Sequence, residues 1–487
     1  MSRSRPRAAA RGSASRNPFS PAVQSGPMTA LPDRVVGDAR TSDFGWDLLT
    51  DLTDIGNRMA GSVGERRGAE RVVAAFDEVG LRNAGLDEFE IPGWWRGDSA
   101  IDLAGPVERR HEGSHEVIAL PGTPSGDVSA PLVDVGDGTD EAFEAASDEL
   151  DGAIAMASSR TPDAHDRWIH RMEKYVTAAE HGAVGFVFRN HIEGALPPTG
   201  EIGYHNRPGP IPAVGVSKEV GERLVRLAGG DGEGDDPVEL SIEVDCRNEP
   251  TTSVNAVAEV GPDTDEAVFL TAHVDAHDVS DGANDNGAGS AIVAEVGRLL
   301  ATVEDDLDTR VRLVTFGAEE IGLWGAYHAA ETTPRDEIAC VINLDGACNS
   351  RDLRVGTNGF DGMGAVFEAV AEAFDAPLAT GETISPHGDQ WAFVQEGIPA
   401  VMASTSSDQS GRGWGHTHAD TLDKLDPRDL REVATLVAAA TYRFATDGGG
   451  AAGGTEVTHR SRSAIRESIA DGYVTELKTG GRWPYDE

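Results

Sequence analysis

Hydrophobic positions in the second half of the chain follow two alternating periods. Residues 289–303 and 429–444 repeat their apolar positions every three or four residues, which predicts helices. Around them lie short apolar runs with the length of buried strands: VNAVAEVG, EAVFLTAHVD, RVRLVTFGA, ACVINLDG and IPAVMAS. The turn GPDTD predicts that the first two strands are neighbours. Strands that alternate with helices favour an α/β fold, with a mainly parallel mixed sheet sandwiched by helices.

Changes in composition and in hydrophobic pattern divide the chain into segments. Residues 28–100 and 246–447 together carry the pattern of the main α/β domain. Residues 101–245 alternate short β-like runs with brief helices punctuated by Gly and Pro, which predicts an inserted β-rich domain. Residues 448–487 begin with a glycine-rich linker and end in a helix, which we expect to dock on the main domain.

The charge of the chain restricts its partners. There are 83 acidic against 41 basic residues, and the formal net charge is −42. An acidic surface with few lysines is typical of a halophilic protein in a salt-loaded cytoplasm, where salt screens self-repulsion. An acidic partner-binding surface is the alternative, although the acidic residues are spread along the chain. Nucleic acid is excluded as a partner because its phosphates would be repelled.

Several features indicate a cytoplasmic protein without a membrane segment. No apolar run approaches the roughly 20 residues needed to cross a bilayer. Cys246, Cys340 and Cys348 form no CxxC motif, which fits a reducing compartment. Residues 1–27 are basic and lack the apolar core of a secretory signal, so we expect them to be disordered or untranslated, with translation starting at Met28. A basic anchoring arm is the alternative.

Five side chains of metal-binding types form one ordered series at predicted strand ends and in loops. They are His273, Asp285, Glu320, Asp345 and His416, and Glu319 is a spare carboxylate beside the third. Ligands bind beyond the carboxyl ends of strands in open α/β sheets. Two imidazoles and three carboxylates suit a pair of zinc-like ions if one carboxylate bridges them. The spare glutamate could then act as general base to a water, so the series predicts a di-metal hydrolase.

Each of these signals also has an ordinary structural explanation. Asp275 could hydrogen-bond the far imidazole nitrogen of His273, but two polar residues at a strand end often only form a turn. Asp285 could be a helix N-cap. The two adjacent glutamates could be a solvated turn. His277 is a competing candidate that could replace or support His273.

The intervals between the five candidates, 12, 35, 25 and 71 residues, resemble those of a known family. This is the di-zinc exopeptidase family of bacterial and yeast aminopeptidases, glutamate carboxypeptidase and plasma glutamate carboxypeptidase-type dipeptidases. The resemblance implies two Zn²⁺ per chain, with Co²⁺ or Mn²⁺ as open alternatives. One ion would bind His273 and Asp345, the other would bind Glu320 and His416, and Asp285 would bridge them.

The same resemblance implies a metal-dependent exopeptidase that hydrolyses a terminal peptide bond of peptides or dipeptides through a hydroxide bridging the two ions. Glu319 would be the general base, and Asp275 would orient His273. The inserted segment resembles a protease-associated domain. A peptide substrate is the implied partner, and the resemblance leaves a homodimer open. A single-zinc glutaminyl cyclase-like enzyme and a catalytically inactive binding relative are the alternatives, and the complete set of five ligands disfavours both.

Further motifs agree with the family in part. HTHADT resembles the family's His-Thr-Pro-x-Asp-Thr, which makes His416 rather than His418 the ligand. Gly415 stands where many relatives have a tyrosine, and residues 388–390 read Gly-Asp-Gln where the family often has Ser-Asp-His. These departures concern the oxyanion donor and the substrate side of the site rather than the metals.

Overall fold

The computed structural model describes most of the chain, namely residues 30–104, 108–165, 167–205, 207–228, 239–406, 413–446 and 457–486. Residues 1–27, for which disorder or a later translation start is predicted, lie outside these ranges. The glycine-rich linker predicted at 448–454 lies outside them as well. No helix among the described residues is both long enough and apolar enough to cross a membrane.

The described residues form fourteen strands and fourteen α-helices. The strands are β1 (Arg82–Ala104), β2 (Arg109–His111), β3 (Val117–Ala119), β4 (Gly126–Asp134), β5 (Ile154–Ser158), β6 (Gly185–Arg189), β7 (Ala213–Val216), β8 (Glu239–Val260), β9 (Ala267–His273), β10 (Arg310–Phe316), β11 (Ile338–Leu344), β12 (Leu353–Gly356), β13 (Leu378–Gly381) and β14 (Ala400–Thr405). The helices are α1 (Asp33–Ala39), α2 (Phe44–Thr53), α3 (Val63–Glu78), α4 (Asp140–Ala145), α5 (Ser147–Leu150), α6 (Arg171–Glu180), α7 (Lys218–Ala228), α8 (Ala288–Ala301), α9 (Trp324–Thr332), α10 (Asp361–Phe374), α11 (Gln390–Val394), α12 (Pro427–Thr446), α13 (Arg462–Ser468) and α14 (Asp471–Thr479).

The main sheet has the mainly parallel mixed character predicted from the sequence. Its strand order is β13-β12-β14-β11-β9-β10-β8. The four central strands, β14, β11, β9 and β10, pair in parallel, while β12 and β8 pair antiparallel at the two sides. Helices flank this sheet, and the largely buried α8 packs against α12 and α2. The α/β fold class is therefore confirmed.

The predicted pairing of the two strands around the GPDTD turn is wrong. Strand β10 lies between β8 and β9, antiparallel to the first and parallel to the second. The connection over residues 261–266 therefore passes one strand instead of closing a hairpin. Every residue of β9 is buried, as a central strand of a covered sheet requires. A short Gly- and Pro-containing connection alone does not reveal such an intervening strand.

A second sheet region is reached through two long strands. Strands β1 and β8 pair antiparallel along nearly their whole length. Beyond them, β4, β5, β6 and β7 are parallel neighbours, and β3 closes the row antiparallel to β7. Helices α6 and α7 belong to this region, which has its own buried core around Phe143, Tyr175 and Phe186. The predicted limits of the inserted domain, residues 101 and 245, fall inside β1 and β8. These limits therefore lie within one continuous two-stranded ribbon.

The C-terminal segment packs on the main domain as two helices instead of the single predicted one. The chain leaves the helical conformation at Ile469 and Ala470, between α13 and α14. Ile465 and Leu477, one from each helix, are buried in the same core as the main sheet. Ile469 is also buried there, so the break itself contributes an apolar side chain to the contact.

Candidate metal centre

The ends of three neighbouring strands bring the predicted residues together. His273 is the last residue of β9, and Asp345 directly follows β11. Glu319 and Glu320 come shortly after the end of β10. Because these three strands are parallel, their carboxyl ends meet at one edge of the sheet. Residues far apart in sequence thereby share one site.

The first cluster is centred on His273. The ligand atoms of His273, Asp285 and Asp345 all lie within 4.8 Å of one another. The His273 Nε2 is 3.4 Å from Asp285 Oδ1 and 3.8 Å from Asp345 Oδ1. The ring is fully buried, and Nε2 has no hydrogen-bond partner among the described residues. A buried imidazole nitrogen surrounded by carboxylates is an arrangement that a metal ion would satisfy.

Asp275 contacts the site differently from the expectation. The His273 Nδ1 lies 3.1 Å from the main-chain oxygen of Asp275, whereas the Asp275 carboxylate is 3.5 Å away. A hydrogen on Nδ1 leaves the lone pair of Nε2 facing the cluster. The Asp275 carboxylate instead accepts the backbone N–H groups of Glu319 and Glu320, at 3.1 and 3.2 Å. Asp275 therefore positions both glutamates, a role that sequence reasoning missed.

The second cluster contains His277, Glu320 and His416, whose ligand atoms also lie within 4.8 Å of one another. The His416 Nε2 is 3.1 Å from Glu320 Oε2 and 3.2 Å from Asp285 Oδ2. The two oxygens of Asp285 therefore face different imidazoles, Oδ1 toward His273 and Oδ2 toward His416. This is the arrangement that a bridging carboxylate requires.

The structure gives different surroundings to His277 and His418, the two histidines that compete with the predicted ligands. His277 does not lie against His273, as a replacement or support would, because its Nε2 contacts Glu320 Oε2 at 2.9 Å. His418 points elsewhere, and its Nε2 lies 2.7 Å from the main-chain oxygen of Ser114. The structure therefore groups His416 with the carboxylates and leaves His418 outside.

The electrostatics of the site indicate a need for positive charge. Burial raises the pKa of Glu319 well above its usual range, and the carboxylates of Glu320 and Asp389 raise this pKa further. Burial also raises the pKa of Asp389, which is fully buried at the start of α11 without a hydrogen bond to its carboxylate from the described residues. Burial opposes ionisation of Glu320 as well, but the imidazoles of His277 and His416 outweigh it and lower its pKa. Bound cations would relieve this concentration of buried acids.

The loop that carries Asp285 is held by two buried charged side chains. The Asp420 carboxylate accepts the backbone N–H groups of Asn284 and Asp285, at 2.9 and 3.0 Å. Burial and the charge of Asp285 raise the pKa of Asp420 to about 7. From the other side, the Arg58 guanidinium donates to the main-chain oxygens of Asp281 and Gly282. Burial lowers the pKa of this arginine to about 10. The loop geometry is thus fixed by the protein itself.

Glu65 on α3 holds the turn before the two glutamates. Its carboxylate accepts the Ala318 backbone N–H at 2.9 Å and the Ser253 hydroxyl at 2.7 Å. Burial, followed by the charge of Asp275, raises the pKa of Glu65 to about 8. The Ser-x-x-Glu pattern at Ser62 is a signature of a helix start, and the sequence predicts this helix, from about Glu65 to Val79. Nothing local in the sequence indicates the contact with Ala318.

The candidate ligands open into a cavity of about 400 Å³ with a second, chemically different wall. The metal wall contains Asp285, Glu319, Glu320, Asp345 and His416. The second wall contains Trp168, Arg171 and Glu201 from the inserted region, together with His387 and Arg482. Arg482 forms an ion pair with Glu201, and the His387 Nε2 lies 2.7 Å from Glu476 Oε1. The inserted region and the C-terminal segment therefore both shape the space in front of the metal wall.

Comparisons with known proteins agree with this architecture. Residues 255–441 match the model of Peptidase family M28, and residues 128–224 match that of the PA domain. Aminopeptidase YwaD of Bacillus subtilis (strain 168) is 26% identical over 411 residues, covering 82% of this chain and 83% of that protein. Carboxypeptidase Q of Mus musculus is 26% identical over 409 residues, covering 81% and 83%.

Solved structures show the same fold. A Peptidase M28 precursor from Shewanella amazonensis SB2B superposes with a TM-score of 0.71 at 25% identity, covering 88% of this chain and 97% of that one. A zinc aminopeptidase from Bacillus subtilis gives a TM-score of 0.65 at 25% identity, covering 85% and 98%. The resemblance stated from the motifs is confirmed: the chain is a metallo-exopeptidase whose residues 255–441 match Peptidase family M28 and whose residues 128–224 match the PA domain.

Proposed function

We propose that this metallo-exopeptidase cleaves a terminal peptide bond with the help of two metal ions. The observation that carries the proposal is the orientation of Asp285, whose two carboxylate oxygens face His273 and His416 respectively. One carboxylate between two imidazole-containing clusters suits a bridging ligand. His273 and Asp345 would complete the first site, and Glu320 and His416 the second.

Zinc is the metal that this donor set favours. Imidazole and carboxylate ligands suit it, and zinc stands high in the affinity order of divalent ions. The zinc aminopeptidase from Bacillus subtilis, at 25% identity, supports the choice. Co²⁺ and Mn²⁺ remain the alternatives to be compared. When bound, such ions polarise a peptide carbonyl and make a nearby water more acidic.

Glu319 is the proposed general base. It lines the cavity beside the clusters, and its Oε2 lies 3.8 Å from His273 Nε2. Its backbone is fixed by the Asp275 carboxylate, which limits the positions that its side chain can take. From there it can accept a proton from the attacking water and pass it to the leaving amine nitrogen. Glu320, the adjacent residue, contacts His416 and His277 and is therefore assigned to the second metal site.

Metal content and peptide hydrolysis measured together test this proposal. We expect elemental analysis of protein purified in molar salt to find two zinc-like ions per chain, and a chelator to abolish hydrolysis. Substrates with a blocked amino or a blocked carboxyl end, in a panel of dipeptides and aminoacyl anilides, sort amino-end from carboxy-end cleavage. Asp285→Asn should lose metal, whereas Asp361→Asn, at an exposed aspartate on α10, is the matched control.

The outcomes separate the competing functions. A single bound ion in the wild-type protein would favour chemistry like that of a glutaminyl cyclase. Absence of both metal and cleavage would favour a binding protein that retains the ligand residues. Full metal content in Asp285→Asn would contradict the bridging role of this carboxylate.

A further inference from the structure

His277 is a buried histidine at the second cluster that the five-ligand pattern does not include. It lies in the loop after β9 with 2% of its surface exposed. Its Nε2 is 2.9 Å from Glu320 Oε2, and its ring stands nearly perpendicular to that of His416, with centroids 4.4 Å apart. Two imidazoles and a carboxylate thus converge on one point.

Neither ring nitrogen of His277 has a hydrogen-bond partner among the described residues. The Nε2 lies 2.9 Å from Glu320 Oε2, but the two side chains are not joined by a hydrogen bond. Leaving buried polar atoms unsatisfied costs about 1–3 kcal/mol. When an imidazole nitrogen and a carboxylate oxygen lie close together without a hydrogen bond between them, their positions suit two ligands of the same ion.

We propose that His277 is an additional ligand of the second metal ion, through Nε2. This inference rests on the two-ion site proposed above. The second ion would then have four protein donors, namely His277, Glu320, His416 and the shared Asp285. The first ion would keep three, His273, Asp345 and Asp285. Zinc sites with four protein ligands are typically closed, whereas sites with three keep a position for water or substrate.

The unequal ligand sets give the two ions different properties. The second site, with two imidazoles, favours zinc and cobalt over manganese, because imidazole suits the former and oxygen ligands suit the latter. The first site has one imidazole and two carboxylates and discriminates less. The second ion should therefore be retained longest during chelation, and the first ion should be the one that exchanges.

Proton NMR of the Co²⁺-loaded protein tests the assignment directly. Each histidine that binds Co²⁺ through Nε2 keeps a hydrogen on Nδ1, and that hydrogen gives a strongly shifted, exchangeable signal. We expect three such signals from the wild-type protein, from His273, His277 and His416. His277→Gln should remove one signal and weaken the affinity for the second ion at least about 100-fold, more than the loss of an outer hydrogen bond. The first ion should be retained.

His418→Gln is the matched control, because His418 contacts the main chain of Ser114 instead of the cluster. It should keep three signals and both ions. Two signals from a wild-type protein with two bound ions would overturn the ligand role and leave the two-ion site intact. Binding of a single Co²⁺ by the wild-type protein would overturn the two-ion site itself, which the stoichiometry reports separately. The wild-type signal count remains informative even if the variant does not fold.

Discussion

The two walls of the cavity both bury charged side chains, but they satisfy these charges in different ways. On the metal wall, the carboxylates of Asp285, Glu319 and Asp345 face one another and the imidazole of His273. On the second wall, Arg482 pairs with Glu201, with only 11% and 10% of the two side chains exposed. Buried charges without a counter-charge are costly, while paired ones are tolerated.

The difference indicates which of the two walls needs bound ions to balance its charge. The charged groups of the second wall are paired within the protein, Arg482 with Glu201 and His387 with Glu476, although the Arg482 Nε has no hydrogen-bond partner among the described residues. Behind it, Arg167 pairs with Glu173 at 2.6 Å in the same manner. The metal wall concentrates negative charge that bound ions would balance. We therefore expect substitutions on the metal wall to alter catalysis and metal binding, and substitutions on the second wall to alter stability.

The largest effect is expected for Glu319→Gln. Loss of a general base should lower kcat by roughly 10² to 10⁴, because glutamine cannot accept the proton of the water. Both metal ions should be retained, since Glu319 is not among the proposed ligands. Steady-state kinetics together with metal analysis of the same sample measure this. Glu372→Gln, at an exposed glutamate on α10, is the control. Near-normal turnover of Glu319→Gln would rule out the general-base role.

Much of the metal wall could be predicted because its residues follow strand ends. His273, Asp345 and the two glutamates come after apolar strands, and local periodicity locates such strands well. Their fixed intervals then allowed the family to be identified. The order of strands was harder, since the insertion of β10 between β8 and β9 depends on long-range pairing.

The second wall could not be predicted for the same physical reason. Trp168, Glu201, His387 and Arg482 come from distant parts of the chain and meet only through the packing of the PA domain and the C-terminal helices. None of these residues has a local spacing that indicates a site. His277 was expected to replace or support His273, whereas it contacts Glu320. The course of the loop after β9 could not be predicted, because it is fixed by tertiary contacts such as those of Arg58.

Metal removal should destabilise the two walls unequally. An ion present at 1,000 times its dissociation constant stabilises the folded state by about 4 kcal/mol. Chelation should therefore lower the free energy of opening of residues 274–287, measured by amide hydrogen exchange. Helix α6 of the PA domain should be protected almost equally with and without metal. Equal loss of protection in both regions would contradict the independence of the second wall.

A smaller effect is expected for Arg482→Met. Removing this arginine leaves the buried carboxylate of Glu201 without its partner, which should lower the free energy of opening of α14 by about 3 kcal/mol. Hydrogen exchange of residues 471–479 measures it, and metal content should not change. Arg428→Met is the matched control, because Arg428 pairs with Asp426 at the surface and its loss should leave the protection of α14 unchanged.

The double variant Glu201→Gln/Arg482→Met sharpens this test. Glutamine carries no charge, so the double variant should recover part of the stability that Arg482→Met loses. Additive losses would show that Arg482 acts through packing rather than through the ion pair. Loss of metal from Arg482→Met, with α14 still protected, would show that the second wall supports the metal centre after all.

The smallest effect is expected in the PA domain behind the second wall, where Lys174 is buried. Its ammonium donates to the main-chain oxygens of Ser158 and Arg160, at 2.7 and 2.8 Å. Burial lowers the pKa of Lys174 from 10.5 to about 8 in the folded protein. Between these two values the unfolded chain binds more protons than the folded one, so the free energy of unfolding should rise with pH. Below pH 8 both states are protonated, and this contribution should be constant.

Urea unfolding at pH 7.5, 9 and 10.5 measures the contribution of Lys174 as a difference between variants. Relative to Lys174→Met, the wild-type protein should gain about 2–3 kcal/mol of stability from the lowest to the highest of these pH values. Other groups titrate equally in both proteins and cancel. Lys218→Met, at a partly exposed lysine that begins α7, is the matched control in the same domain. The difference in the free energy of unfolding between wild type and Lys174→Met could instead be independent of pH. That result would mean that burying the charged ammonium costs nothing, because its two carbonyl partners fully replace water.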